Sequence, residues 1–250
     1  GGSSAINVGA WLRGVKSDFD TWEKLGAEGW NSDLAFRLFK KIEDSDRGPN
    51  DYRGKGGPMY MEDAANASKI SDSLLKGFVE AGFGVAADTN GEDPFSVALA
   101  QTIYLKHRRR TAADEYLNHE VRKRKNLQII TSAMVCRVLF NGTRVIGVEY
   151  EKDGKIMKLE AGKEVILSAG TYNTPKIMKL SGVGPKEELN KLGIPVVADV
   201  PGVGENLHDQ LNIDIKVLAP KGVKGSVPMD SSDEAIKEWT WTQNGPAIYF

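Results

Sequence analysis

The stretch that most constrains this chain is a run of short alternating segments punctuated by two glycine turns. Residues 135–140 and 145–151 alternate apolar and polar side chains at the period of a half-buried strand, with Asn141-Gly142 between them as a hairpin turn. Asp153-Gly154 makes a second turn into residues 155–160. Residues 127–132 read as a further strand ahead of this set, and Glu164-Val165-Ile166-Leu167-Ser168 reads as a buried strand behind it, followed by Gly170. A meander leading into a buried strand excludes a helical bundle. The expectation is a mixed α/β chain (α+β in detail).

Helices are expected on both sides of the meander. Acidic residues open one over 18–24, and Asn31 and Ser32 cap another that ends near Ile42. Residues 44–58 form a polar connection rich in Gly and Pro, and 59–61 a short strand. Over 68–81, Ile70, Leu74, Leu75, Phe78 and Val79 fall on one side of a helix that Gly82 and Gly84 end. Thr111 is placed to cap a helix over 112–122, and Pro175 to sit in the first turn of one over 175–180. A short helix over 186–192 closes at Gly193, residues 209–218 alternate like a strand, and 220–233 have loop composition.

The net charge of −1 over 250 residues argues against nucleic acid or an anionic membrane as the main partner. The runs His107-Arg108-Arg109-Arg110 and Arg122-Lys123-Arg124-Lys125 read as solvated charge. Cys136 is the only cysteine, and His107, His119 and His208 have no shared helical spacing, so no metal site is expected. No apolar run is long enough for a transmembrane segment, and the compartment is left open. The chain begins Gly1-Gly2-Ser3-Ser4-Ala5-Ile6-Asn7, a loop whose glycines let a polar or polyanionic ligand approach the backbone. Such a loop ordinarily follows a strand, which suggests a piece of a larger cofactor-binding protein.

Gly182-Val183-Gly184 and Gly202-Val203-Gly204 each lack the third glycine of a dinucleotide turn and read first as close-packing turns. The longer run Gly170-Thr171-Tyr172-Asn173-Thr174-Pro175-Lys176-Ile177-Met178-Lys179-Leu180-Ser181-Gly182-Val183-Gly184 is more specific. It resembles the second signature of the glucose–methanol–choline (GMC) flavin oxidoreductases, and residues 201–210 resemble that family's following segment. The opening Gly-Gly-Ser-Ser, Asn7, Arg13-Gly14, Asp18, Asp20, Trp22, Gly29-Trp30, Arg110-Thr111-Ala112-Ala113 and Gly147-Val148-Glu149-Tyr150 complete the resemblance in the family's order.

The resemblance implies an FAD-binding dinucleotide domain with a β-meander, plus part of a substrate-binding domain. Its segments would be 1–45 (flavin-facing loop and helices), 46–110 (substrate-side cap), 111–210 (meander and second signature) and 211–250 (start of the substrate-binding domain). It implies FAD contacts at Ser3 and at Asn7, Val8, Gly9 and Ala10, mostly through backbone, and an adenine contact at Val135. Some members tether FAD through a histidine just before that asparagine. Ile6 stands there in this chain, so non-covalent FAD is expected.

The implied activity is oxidation of the CH–OH group of an alcohol, sugar or choline-like small molecule, with hydride passing to flavin N5. The family's G-x-G-x-x-G turn and its catalytic histidine have no counterpart here. No catalytic residue is therefore assigned, His208 included, and the chain alone is expected to be inactive. A hydroxynitrile lyase on the same fold and a non-catalytic remnant remain open alternatives at this point.

Overall fold

The computed structural model describes residues 2–63, 69–92, 95–105, 108–211, 213, 234 and 237. They fall into two compact units divided between Arg124 and Lys125. The loop expected over 220–233 and His107 lie outside the described residues, as does most of the strand expected over 209–218.

The first unit opens with a single 3-10 turn, Ser3–Ala5, and a short strand β1 (Ala10–Trp11). Helix α1 (Lys16–Lys24) starts where Asp18 accepts the Val15 N–H at 3.0 Å. Helix α2 (Ser32–Ile42) starts where Asn31 accepts the Leu34 N–H at 3.0 Å, the cap its sequence anticipates. Phe19 of α1 sits edge-on against Trp22, Phe36 and Phe39, and this aromatic cluster joins the two helices.

Strands β2 (Glu43–Ser45) and β3 (Met59–Asp63) then pair in parallel, and Met59 and Met61 are buried on alternate positions of β3. After helix α3 (Lys69–Glu80) come β4 (Gln101–Thr102), β5 (Tyr104–Leu105) and β6 (Arg108–Arg109). The main sheet has the order β1-β4-β3-β2, while β5 and β6 pair as a separate antiparallel ribbon.

The helix expected over 112–122 is two helices, α4 (Ala112–Tyr116) and α5 (His119–Arg122). Thr111 caps the first as expected, exchanging hydrogen bonds with Asp114. The break comes at Asn118, whose side chain accepts the Val121 N–H and caps a new helix instead of continuing the old one.

The second unit carries the meander: β7 (Met134–Asn141), β8 (Arg144–Lys152) and β9 (Lys155–Glu160), antiparallel in that order. Both turns are where the sequence placed them, with one adjustment. Asn141 pairs with Arg144, so Gly142 and Thr143 are the central residues of the first turn. Residues 127–132 and 164–168, expected as strands, are not paired with any strand among the described residues. Ile166 is 78% exposed. Apolar runs become strands only where a ladder partner satisfies their backbone, and these two have none there.

Helix α6 (Gly170–Leu180) begins five residues earlier than expected, with Pro175 inside it. Thr174 Oγ1 accepts the Ala169 N–H at 3.0 Å and closes the turn ahead of the proline. The helix packs on β7, where Ser181 Oγ accepts the buried Val138 N–H at 2.8 Å. β10 (Val183–Gly184), α7 (Lys186–Lys191) and β11 (Ala198–Asp199) follow, with β10 and β11 parallel. At Gly182, φ is +87° and a Cβ would lie 2.3 Å from the Pro195 carbonyl oxygen. The first Gly-Val-Gly is thus a close-packing turn. No helix among the described residues is long and apolar enough to cross a membrane.

Candidate functional site

Ser3, Asn7, Val8, Gly9 and Ala10 lie on one continuous segment of the first unit. Ser3, Asn7 and Val8 are exposed, Ala10 is half-buried and Gly9 is buried. The segment is docked at several points. Ile103 N–H donates to Gly9 O at 2.9 Å, and β1 continues the attachment by pairing with β4. Asn7 Oδ1 accepts the Gly9 N–H at 3.0 Å and one Arg109 N–H at 2.8 Å. Ser4 Oγ accepts the Ala112 N–H at 3.0 Å. The Asn7 side-chain oxygen is therefore turned into the protein, which leaves the outer face of the loop to backbone and to Ile6 and Val8, each 87% exposed.

Gly9 is required by geometry. Its φ is +74°, and a Cβ there would lie 2.5 Å from Tyr104 Cε2. Any other residue would combine a left-handed backbone with a clash against an aromatic ring.

Beneath β1 lies a buried ionic cluster that the sequence did not announce. Glu43 at the start of β2 is fully buried. Its Oε1 accepts from Trp11 Nε1 at 2.7 Å, Arg13 Nε at 3.1 Å and Arg53 Nη1 at 3.2 Å, and its Oε2 accepts from Gly54 N–H at 3.0 Å. Arg13 Nη2 also abuts Oε1 as an ion pair. Arg53, itself fully buried, forks onto Asp88 with bonds of 2.6 and 2.8 Å. Arg13 further donates to Tyr52 O at 2.6 Å and lies over the Phe39 ring at 5.2 Å. Asn90 links the two layers by accepting Arg13 N–H and donating to Trp11 O. Arg13 and Arg53 with Glu43 and Asp88, and Arg47 pairing with Asp88 from outside at 3.6 Å, form a cluster that holds β1 and hence the foot of the opening loop.

Burial works to raise the Asp88 carboxyl, but hydrogen bonds from Arg53 and the Asn90 N–H outweigh it and hold the group below its ordinary value. A depressed carboxyl stabilises the fold above its unfolded value, near pH 4, and the contribution is lost as pH falls through the folded value. The thermal midpoint of the protein is therefore expected to drop as pH falls below about 4. Asp88→Asn is expected to start lower and show a shallower acid decline. Parallel declines in the two proteins would contradict this assignment.

The remaining candidate, Val135, is a half-buried residue of β7 in the second unit. It lines an apolar cavity of about 500 Å³ together with Val148, Val165, Ile166, Ala169 and Ile177. His208 lies at the surface of that unit, bordering a groove with Lys179 and Glu205. His119, in the first unit, is exposed beside Glu120. Among the described residues no group of His, Cys, Asp and Glu is arranged to hold a metal ion.

Besides the buried ionic cluster, Arg109 and Tyr104 bear on the loop in ways the sequence does not show. Arg109 belongs to a run whose composition reads as solvated charge, yet it donates to Ser4 O at 3.2 Å and Tyr104 OH at 3.0 Å as well as to Asn7. Tyr104 packs where Gly9 has no Cβ. Only contacts across about a hundred residues reveal these roles.

Comparison with known proteins places this geometry in context. The family model described as GMC oxidoreductase matches residues 1–212. The mitochondrial choline dehydrogenase of Mus musculus is 35% identical, matched over 98% of this chain and 41% of its own length. The oxygen-dependent choline dehydrogenase of Rhizobium meliloti is 37% identical over 99% of this chain and 45% of its own length. Among solved structures, an FAD-dependent oxidoreductase from Chaetomium thermophilum is 31% identical with a TM-score of 0.76, covering 81% of this chain and 37% of that one. Pyridoxine 4-oxidase from Mesorbium loti is 29% identical with the same TM-score, covering 80% and 39%. The chain spans less than half the length of these relatives.

Proposed function

Since this chain belongs to the GMC oxidoreductase family, we propose that it is part of a longer FAD-dependent enzyme that oxidises the CH–OH group of a small alcohol, with choline-like alcohols the first to test. The observation that carries the reading is the opening loop. Its inner side is tied down, while its outer side offers the Ser3 and Val8 N–H groups, which have no hydrogen-bond partner among the described residues, beside two exposed apolar side chains. A flavin has a ring of that mixed character, with polar edges and an apolar face, so the residues present fit it. Ile6 offers no nucleophile for a covalent tether, and the bond to FAD is proposed to be non-covalent.

When bound, FAD supplies the acceptor for the hydride leaving the alcohol carbon. The chain's own residues do the holding. Ser3 and the backbone of 7–10 would meet the cofactor, with the Ser3 and Val8 N–H groups as the donors and Ile6 and Val8 excluding water. Gly9 allows the close docking that keeps this surface rigid. The apolar cavity beside Val135 would take a flat aromatic ring such as adenine. We assign 1–45 and 111–210 to the FAD-binding part and 46–110 and 211–250 to the substrate side. This chain has no G-x-G-x-x-G run, and no residue is assigned as the base that takes the alcohol proton. Alone, the chain is proposed to be inactive. The test is anaerobic addition of choline and simple primary alcohols to the flavin-bearing full-length protein, which should bleach its visible absorption.

A further inference from the structure

We propose that Arg109 is a positioning residue that clamps the opening loop in the shape the flavin requires. The inference rests on the reading of that loop as the cofactor wall.

The guanidinium ties two points of the opening loop, about a hundred residues away, to Tyr104, five residues before it. One nitrogen donates to the Ser4 carbonyl at 3.2 Å and the Asn7 carboxamide oxygen at 2.8 Å, and the other to the Tyr104 hydroxyl at 3.0 Å. Arg109 and Tyr104 face each other across the β5–β6 ribbon, so strand register holds the pair together independently of its contacts with the loop. The Arg109 carbon Cζ lies 5.3 Å from the centre of the Tyr104 ring, a cation–π contact that adds to the hydrogen bond. That same ring fills the space where Gly9 lacks a side chain. Ser4, Asn7 and Gly9 are therefore all referred to one arginine–tyrosine pair.

The partners of this arginine differ from those of the others. Arg13, Arg47, Arg53, Arg110 and Arg137 all meet a carboxylate. Arg109 meets none among the described residues. Its donors are spent on a carbonyl, an amide oxygen and a phenol. A planar fork is needed to reach two loop acceptors from one nitrogen while the other holds Tyr104, and a lysine ammonium does not reproduce that spread. The arginine thus acts through loop geometry, and its conservative replacement should not substitute for it.

The experiment compares the FAD-loaded full-length protein with Arg109→Met, Arg109→Lys and Tyr104→Phe. Hydrogen exchange over residues 3–8 is read alongside the FAD dissociation constant and the thermal midpoint of the cofactor-free protein. The expected result for Arg109→Met is faster exchange confined to the loop and an FAD dissociation constant raised about tenfold or more, the scale of lost charge-assisted hydrogen bonds. Millimolar guanidinium should restore much of the affinity. Arg109→Lys should be impaired nearly as much, and Tyr104→Phe less, with cofactor-free midpoints close to wild type. If Arg109→Met fails to fold, the other two variants carry the same comparison. Wild-type exchange and affinity in the variants would overturn the clamp while leaving the flavin reading intact. A wild-type protein that takes up no FAD, yet whose loop loosens in Arg109→Met, would overturn the flavin reading instead.

Discussion

Replacing Glu43 with glutamine is expected to lower the stability of the first unit by about 3–5 kcal/mol, the usual cost of removing one partner from a buried ion pair. The size follows from what remains. Arg13 and Arg53 both converge on one Glu43 oxygen, and the Arg13 and Arg53 side chains are 1% and 0% exposed. Neutralising the carboxylate leaves Asp88 as the only acid against two buried guanidiniums, and Asp88 binds Arg53 rather than Arg13. Glutamine keeps its one oxygen either for Trp11 and the arginines, which sets its NH2 group against the Gly54 N–H, or for Gly54, which sets the NH2 group against both arginines. The urea midpoint followed by tryptophan fluorescence reads the loss, and Trp11, which donates to Glu43, is one of the reporters. The consequence reaches the candidate site, since Trp11 and Arg13 flank the end of β1 and β1 continues directly from the loop. An unchanged midpoint would mean that the cluster is not closed as described.

Gly9→Ala is the second large effect, and it falls on the cofactor more than on the fold. The left-handed backbone costs an alanine roughly 1–2 kcal/mol. Forcing a methyl against Tyr104 adds about 1–3 kcal/mol of overpacking. Tyr104 cannot simply swing aside, because its hydroxyl is held by Arg109. The loop itself is the softer partner, so it is expected to lift. FAD retention on gel filtration should fall at least about tenfold, the change that 1.4 kcal/mol represents. Gly2→Ala is the control, since φ is also positive there but nothing lies within 4 Å of the added carbon. Equal FAD retention in Gly9→Ala and wild type would show that the loop does not bear on the cofactor.

Much of the fold could be read in the sequence wherever the cause was local. Asn31, Thr111 and the two meander turns act through neighbours three residues away or fewer, and the elements they start or close are found where expected. The misreadings share a different cause. Residues 127–132 and 164–168 have strand-like composition, but a strand is decided by a partner, which composition does not supply. Asn118 does not stand out in the sequence because a cap inside an otherwise helical run competes with continuation only by a small margin. Pro175 drew the helix start toward itself, whereas Thr174 closes the turn before it.

The candidate site shows the same division. The glycine-rich loop is legible because backbone access requires small residues in sequence. Glu43, Asp88 and Arg109 are not, because a charged residue on a short strand, in a polar loop or in a basic run looks solvated until its distant partner is known. The resemblance to the GMC signatures brought the loop forward, and the clamp beneath it became visible only through contacts across about a hundred residues.

The most direct test is anaerobic mixing of two samples with choline and with a simple primary alcohol: the full-length protein carrying FAD, and this 250-residue chain supplied with free FAD. The expected result is bleaching of the flavin absorption in the first sample, recovery when an electron acceptor is admitted, and no bleaching in the second. A full-length protein that holds FAD in its oxidised form through every alcohol tried would contradict the oxidoreductase reading, and bleaching by the isolated chain would contradict its dependence on the rest of the protein.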